Sequence, residues 1–126
     1  MIFLSAEDFI LIAGRAMGEA PIVRDRGLLE SASVRPATSW RGADAYSTID
    51  EKAAALVHSL VSNHALVDGN KRLGLAGLVA FLGMNGWRLS WRNDDAYDFI
   101  MEISSGQLEE IAAIAGRIER ARVART

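Results

Sequence analysis

The chain has no cysteine and only two histidines in 126 residues. The first absence excludes disulfides and thiolate metal sites and fits a reducing cytosol. With only two histidines as well, the sequence offers little from which to build a zinc site. Excess charge of either sign is also missing: 14 Lys and Arg against 16 Asp and Glu give a net charge of −2. That balance excludes a broad basic face of the kind that drives non-specific nucleic-acid binding, so any anion chemistry must be local. No apolar run reaches the roughly 18 residues free of charges and turn signals that a membrane span requires. Glu7 and Asp8 stand where a secretory leader would carry cations, which points to a cytoplasmic protein.

What is present is mostly helical period. Half the residues are apolar and 24% are charged, as in an ordinary globular protein, and the length suits a single domain over residues 1–126. Ser5 precedes a stripe of Phe9, Ile12, Ala13 and Ala16, predicting a capped first helix that runs to Gly18. Asp25 can cap a second carrying Leu28, Leu29 and Ala32, ended by Pro36. Residues 37–47 show no period and include Trp40, Gly42 and Tyr46. An irregular stretch of that length is often functional. Thr48-Ile-Asp-Glu51 is a capping box opening a third helix, whose apolar face of Ala53, Val57, Leu60 and Val61 continues to His64.

From Leu73 to Leu82 there is no polar side chain at all, which predicts a fourth helix buried on every side. From Asn70 to Asn85 it would make a rod of roughly 24 Å through the middle of the domain. Gly74 and Gly77 on it predict close approach of a neighbouring helix, and Asn85-Gly86 a left-handed end. Trp87 to Trp91 can be extended. Asn93 or Asp94 starts a fifth helix stopped by Gly106, and a sixth carries Leu108, Ile111, Ala112, Ala115 and Ile118. The fold class that follows is all-α: a compact helical bundle around one buried central helix.

The chemistry concentrates at the junction of the third and fourth helices, His64-Ala-Leu-Val-Asp68-Gly69-Asn70-Lys71-Arg72. The first amides of a helix lack intrahelical partners and carry about half a positive charge. A sequence built only for stability would place Asp or Glu there; this one places Lys71 and Arg72. Two cations at a helix N-terminus make sense if an anion lies between them, and a phosphate suits amides, guanidinium and ammonium alike. Gly69 lets the backbone approach it, and Asn70 offers an amide donor. A bare phosphate would repel Asp68, so Asp68 calls for a mediating Mg²⁺, which is commonly held by one or two carboxylates plus phosphate oxygens. His64 at the mouth can serve as a general base toward a hydroxyl nucleophile. The constellation reads as phosphoryl or nucleotidyl transfer to a hydroxyl group. The purely structural alternatives are a core or cap histidine, a common Asp-Gly turn, and an Asp68–Arg72 ion pair at i, i+4. His58 is about 120° round the helix from His64, at 100° per residue, and reads as structural.

This nine-residue stretch resembles the motif of the Doc (death-on-curing) branch of the Fic/Doc family, His-x-Phe-x-Asp/Asn-Ala/Gly-Asn-Lys-Arg. Gly27-Leu-Leu-Glu-Ser31, Arg35-Pro36 and Glu51-Lys-Ala-Ala-Ala-Leu-Val-His58-Ser extend the likeness, as does the apolar helix ending at Asn85-Gly86. The resemblance implies a compact helical toxin of a bacterial toxin–antitoxin pair. It further implies a protein kinase that transfers the γ-phosphate of ATP, with Mg²⁺, to a threonine of a translation factor, elongation factor Tu being the expected target. By the family roles His64 is the base, Asp68 the Mg²⁺ ligand, and Gly69, Asn70, Lys71 and Arg72 hold phosphates. Fic relatives generally transfer AMP instead; they carry Gly at the position of Lys71 and a second Arg at that of Leu75. Both differences place this chain with Doc.

Two departures bear on activity and restraint. Ala65-Leu66 stands where Pro-Phe is usual, which predicts a looser catalytic loop and keeps open a catalytically impaired, antitoxin-binding module. Ser47 to Lys52 and Ser105 to Glu110 approach the family's internal inhibitory helix but lack its final Gly or Asn. Restraint is then expected from a Phd-like antitoxin laid in a groove, with nucleic acid contacted only through that partner. Direct contact through Arg117, Arg120, Arg122 and Arg125 is opposed by Glu119 and by the acidic total. By position, residues 37–46 match the flap that aligns the target segment, where Trp40 and Tyr46 could give contact area or simply close the core.

Overall fold

A computed structural model describes residues 1–126. In chain order the elements are α1 (Ala6–Met17), α2 (Arg26–Val34), a 3-10 turn (Arg35–Ala37), a hairpin of β1 (Ser39–Trp40) and β2 (Ala43–Asp44), then α3 (Ile49–Ser62) and α4 (Asn70–Met84). They are followed by β3 (Trp87–Leu89), α5 (Asn93–Ser104), α6 (Ile111–Ala121) and β4 (Arg122–Ala124). The fold is all-α, six helices with two small antiparallel ribbons, β1 with β2 and β3 with β4. No helix is long and apolar enough to cross a membrane.

Local chemistry sets the helix ends. The Asp8 amide donates to Ser5 Oγ at 3.1 Å while the Ser5 amide donates to Asp8 Oδ2 at 2.8 Å, and Gly18 closes α1 in the left-handed region. Asp25 caps α2 through the Leu28 amide, and Thr48 caps α3 through the Glu51 amide at 3.1 Å. Such caps contribute about 1 kcal/mol each relative to Ala. Asn85 ends α4 and reaches back to the N-terminal segment, accepting from the Ile2 amide and donating to Ile2 O.

The centre of the molecule is α3, not α4. Ten of the 14 residues of α3 are buried, against six in α4. The polar ones are paired: Asp50 with Arg122, Lys52 with Asp44 and Tyr46 O, and Ser59 with Arg35. The expectation of an α4 buried on every side is therefore corrected. Leu73, Gly74, Gly77, Leu78, Phe81 and Leu82 face inward, while Val79 and Met84 are about half exposed. An absence of polar residues says that a helix has no preferred wet side, but only the position of its neighbours decides which side is covered. The two glycines act as expected. A Cβ on Gly74 would collide with Val61 Cγ2, and one on Gly77 would lie 2.7 Å from Leu60 Cδ1, so α3 and α4 cross at glycine distance.

The C-terminal segment also departs from expectation. The sixth helix starts at Ile111, leaving Leu108 before it, and Arg122–Ala124 pairs with Trp87–Leu89 as a strand. Three of the four arginines there are committed internally. Arg117 pairs with Glu102, Arg122 with Asp50, and Arg125 donates to Gly83 O at 2.9 Å. They do not form a free basic face.

Candidate active site

The α3 helix stops at Ser62 and Asn63 closes it. His64 then takes φ 53, in the left-handed region, so it lies beyond the helix rather than on its apolar face as the period suggested. The reason is the next two residues. Ala65 and Leu66 turn back into the core, with Leu66 only 1% exposed, and the chain must reverse at His64 to bury them. The loop is held from outside by the segment before α2. The amides of Arg24 and Asp25 both donate to Ala65 O at 2.8 and 3.0 Å, the Val67 amide donates to Ile22 O at 2.9 Å, and Val23 bridges Leu66.

Asn70 holds it from inside. Its Oδ1 accepts from the Leu66 amide at 3.0 Å and its Nδ2 donates to Leu66 O at 2.9 Å. The loop is anchored at Leu66, with Leu standing where the motif carries Phe. The Asn70 side chain spends its oxygen and one Nδ2 hydrogen on that anchoring, which leaves its main-chain N–H and its second Nδ2 hydrogen uncommitted.

Gly69 precedes α4 with φ 92, and a Cβ there would come within 2.5 Å of Met17 Sδ. The conformation calls for glycine, and an added Cβ would in addition displace the Met17 side chain. Beyond it the amides of Asn70, Lys71 and Arg72 have no acceptor in the chain, since the first bond into α4 is from Leu73 N to Gly69 O at 2.9 Å. They face a polar cavity of about 350 Å³ lined by Val61, His64, Val67, Asp68, Gly69, Asn70, Lys71, Arg72 and Ser104. All six residues singled out from the sequence therefore meet at one cavity. The five ion pairs of the molecule include none of them, so the Asp68–Arg72 pair considered above does not form. Lys71 and Arg72 also border an adjoining apolar groove of about 410 Å³ between α4 and α5, lined by Leu75, Ala96, Tyr97, Ile100 and Met101.

The donor set fits a magnesium–phosphate group. No cluster of three or more His, Asp or Glu side chains exists to cage a metal on its own. One exposed carboxylate, Asp68, shares the cavity with amides and cations. A hard cation that takes one carboxylate and completes its shell with phosphate oxygens and water suits that arrangement.

His58 stands apart, its Nδ1 3.0 Å from Arg35 Nη1, and burial together with the Arg35 charge lowers its pKa from the ordinary imidazole value. Arg35 also donates to Tyr46 Oη at 3.1 Å, which assigns Tyr46 to the core side of the hairpin. Trp40 is 70% exposed at the β1–β2 turn, with Arg41 over its ring, and supplies the hairpin's outward surface. Sequence reasoning missed three neighbours of the site. Ser104 arrives from the end of α5, Met17 from the end of α1, and Arg24 donates to the main-chain oxygen of His64. Each is distant in sequence and carries no local signature.

Comparison with known proteins gives two findings. The Fic/DOC family model matches residues 3–82. The chain is also 43% identical over 115 residues, 88% of each chain, to a protein of Mycolicibacterium smegmatis (strain ATCC 700084 / mc(2)155) named Toxin Doc.

Proposed function

This chain belongs to the Fic/Doc family, and from that premise we propose that it is the toxin of a toxin–antitoxin pair acting as an ATP-dependent protein kinase. The observation that carries the reading is the cavity at the start of α4, where three uncommitted amides, Lys71 and Arg72 face His64 and Asp68. The phosphate tail of ATP lies against those amides and cations. The adjoining apolar groove, which shares Lys71 and Arg72, gives the nucleoside an apolar wall.

In the reaction the oxygen of a target hydroxyl attacks the γ-phosphorus. The bond from that phosphorus to the bridging oxygen breaks, ADP leaves, and the hydroxyl proton passes to a ring nitrogen of His64. Lys71, Arg72 and the α4 amides stabilise charge on the transferring group. Asp68 would hold Mg²⁺, which when bound neutralises charge on the phosphate oxygens. Lys71, which lines the cavity at the position where Fic relatives carry glycine, favours phosphate transfer over AMP transfer.

A translation factor, elongation factor Tu first, is the proposed target, and the exposed hairpin carrying Trp40 the surface that aligns it. The partner is a Phd-like antitoxin. The test incubates the purified chain and elongation factor Tu with ATP labelled at either the γ- or the α-phosphate, with His64→Ala as control. Transfer of γ-label alone, abolished in the control, is expected. Transfer of α-label would replace the kinase by an AMP transferase, and absence of both would leave an antitoxin-binding module.

A further inference from the structure

The residue that fixes His64 comes from elsewhere in the chain. Arg24 has no carboxylate partner among the ion pairs of the molecule. Its guanidinium is spent on main-chain oxygens: Nε donates to His64 O at 2.8 Å, Nη2 donates to the same oxygen, and Nη2 also reaches Asn63 O at 3.4 Å. The Arg24 amide meanwhile donates to Ala65 O at 2.8 Å. One residue thus grips three consecutive carbonyls, Asn63 and His64 by its side chain and Ala65 by its main chain.

Of these three, His64 is one of only two non-glycine residues with positive φ. The left-handed region is sparsely populated by side-chain-bearing residues, and such conformations persist where surrounding structure over-determines them. Rotating the peptide after His64 back toward the ordinary helical region would move its carbonyl out of the guanidinium fork. Arg24 does not line the cavity, so it touches neither phosphate nor metal.

Taking His64 as the base in the reading above, we propose that Arg24 is a positioning residue that holds the His64 backbone in its left-handed conformation and thereby aims the imidazole at the phosphate cavity. A residue serving only to satisfy the last carbonyls of α3 would affect stability without affecting where His64 points.

The test uses the full isotope-labelled chain as wild type, Arg24→Ala, Arg24→Gln and Arg24→Lys. The amide–Hα coupling of His64, read with its intraresidue amide–Hα NOE, which is strong only at positive φ, reports its backbone conformation. The rate of carbethoxylation at His64, read by peptide mass against His58 as internal reference, reports imidazole access. Phosphate transfer supplies kcat and KM for ATP. In Arg24→Ala the coupling should move to the value of a right-handed backbone and the His64 carbethoxylation rate should change relative to His58. kcat should fall about 10- to 100-fold, as small misplacements of catalytic groups do, with KM for ATP nearly unchanged. Arg24→Lys, which can reach one carbonyl but cannot fork, should recover part of kcat. Should Arg24→Ala not fold, Arg24→Gln, which keeps a polar side chain of similar bulk but loses the guanidinium fork, carries the same expectations. An unchanged coupling and unchanged kcat in the folded variants overturn the proposal. If wild type transfers neither phosphate nor AMP while the coupling still moves, the clamp stands and the assignment of His64 as base falls.

Discussion

Replacing Asn70 by alanine should loosen the loop that carries His64 while sparing the rest of the molecule. The substitution removes two hydrogen bonds, 3.0 Å from the Leu66 amide and 2.9 Å to Leu66 O. Each contributes about 1 kcal/mol net, and a main-chain donor left buried without a partner adds about 1–3 kcal/mol. Leu66 is sealed, whereas Asn70 itself is half-buried, so water can recover part of that cost. Alanine also gains about half a kcal/mol in helix propensity at the start of α4. The balance is a loss of about 2–3 kcal/mol, which at a slope of about 1.5 kcal/mol per molar lowers the urea midpoint by about 1–2 M. Asn70→Asp keeps an acceptor for the Leu66 amide and loses only the donor, so it should lose less. Hydrogen exchange supplies the local readout: the Leu66 amide should lose protection in Asn70→Ala and keep most of it in Asn70→Asp. A shift below about 0.5 kcal/mol, the size of an ordinary surface substitution, with Leu66 protection unchanged would refute the assignment of Asn70 as the inner anchor.

Three further outcomes are expected. Gly69→Ala forces a side chain into the left-handed region, at about 1–2 kcal/mol, and into Met17; adding Met17→Ala should return the steric part but not the conformational part, as judged by urea midpoints. Asp50→Ala leaves Arg122 without its bidentate partner, whose contacts are 2.6 and 3.1 Å with side chains 7% and 20% exposed; calorimetry should show a loss of about 3 kcal/mol, the lower end for a broken buried pair. The lowered pKa of His58, caused first by burial and then by Arg35, means that the unfolded chain binds a proton before the folded one does. Its contribution is intact above the ordinary imidazole pKa and is lost as pH falls below it toward the lower folded value. His58→Gln should flatten that part of the stability–pH curve, and an unchanged slope would show that another group titrates there.

Local chemistry was the legible part of the fold. Ser5, Asp25 and Thr48 cap the helices they were expected to cap because a cap needs only residues three positions away. Gly74 and Gly77 announced a helix crossing because few other causes put glycine inside an apolar helix. That the six residues singled out between His64 and Arg72 line one cavity was legible because they are consecutive or nearly so. Long-range placement was not legible. Period alone extended α3 to His64, whereas burial of Ala65 and Leu66 turns the chain before it. An apolar run made α4 the centre, whereas α3 takes that place by pairing its buried Asp50, Lys52 and Ser59 with partners up to 72 residues away. Asn70 was legible as a polar side chain at a helix start but not as the inner anchor of the loop. Only the path of the preceding loop shows that Leu66 takes both ends of its amide.

In the proposed reading the start of α4 holds the phosphate tail of a nucleotide with His64 at its rim. The most direct measurement is a crystal structure of the chain with Mg²⁺ and a non-hydrolysable ATP analogue. The β- and γ-phosphates should lie against the amides of Asn70, Lys71 and Arg72, with the γ-phosphorus nearest His64. A phosphate tail bound elsewhere while that cavity holds only water would contradict it.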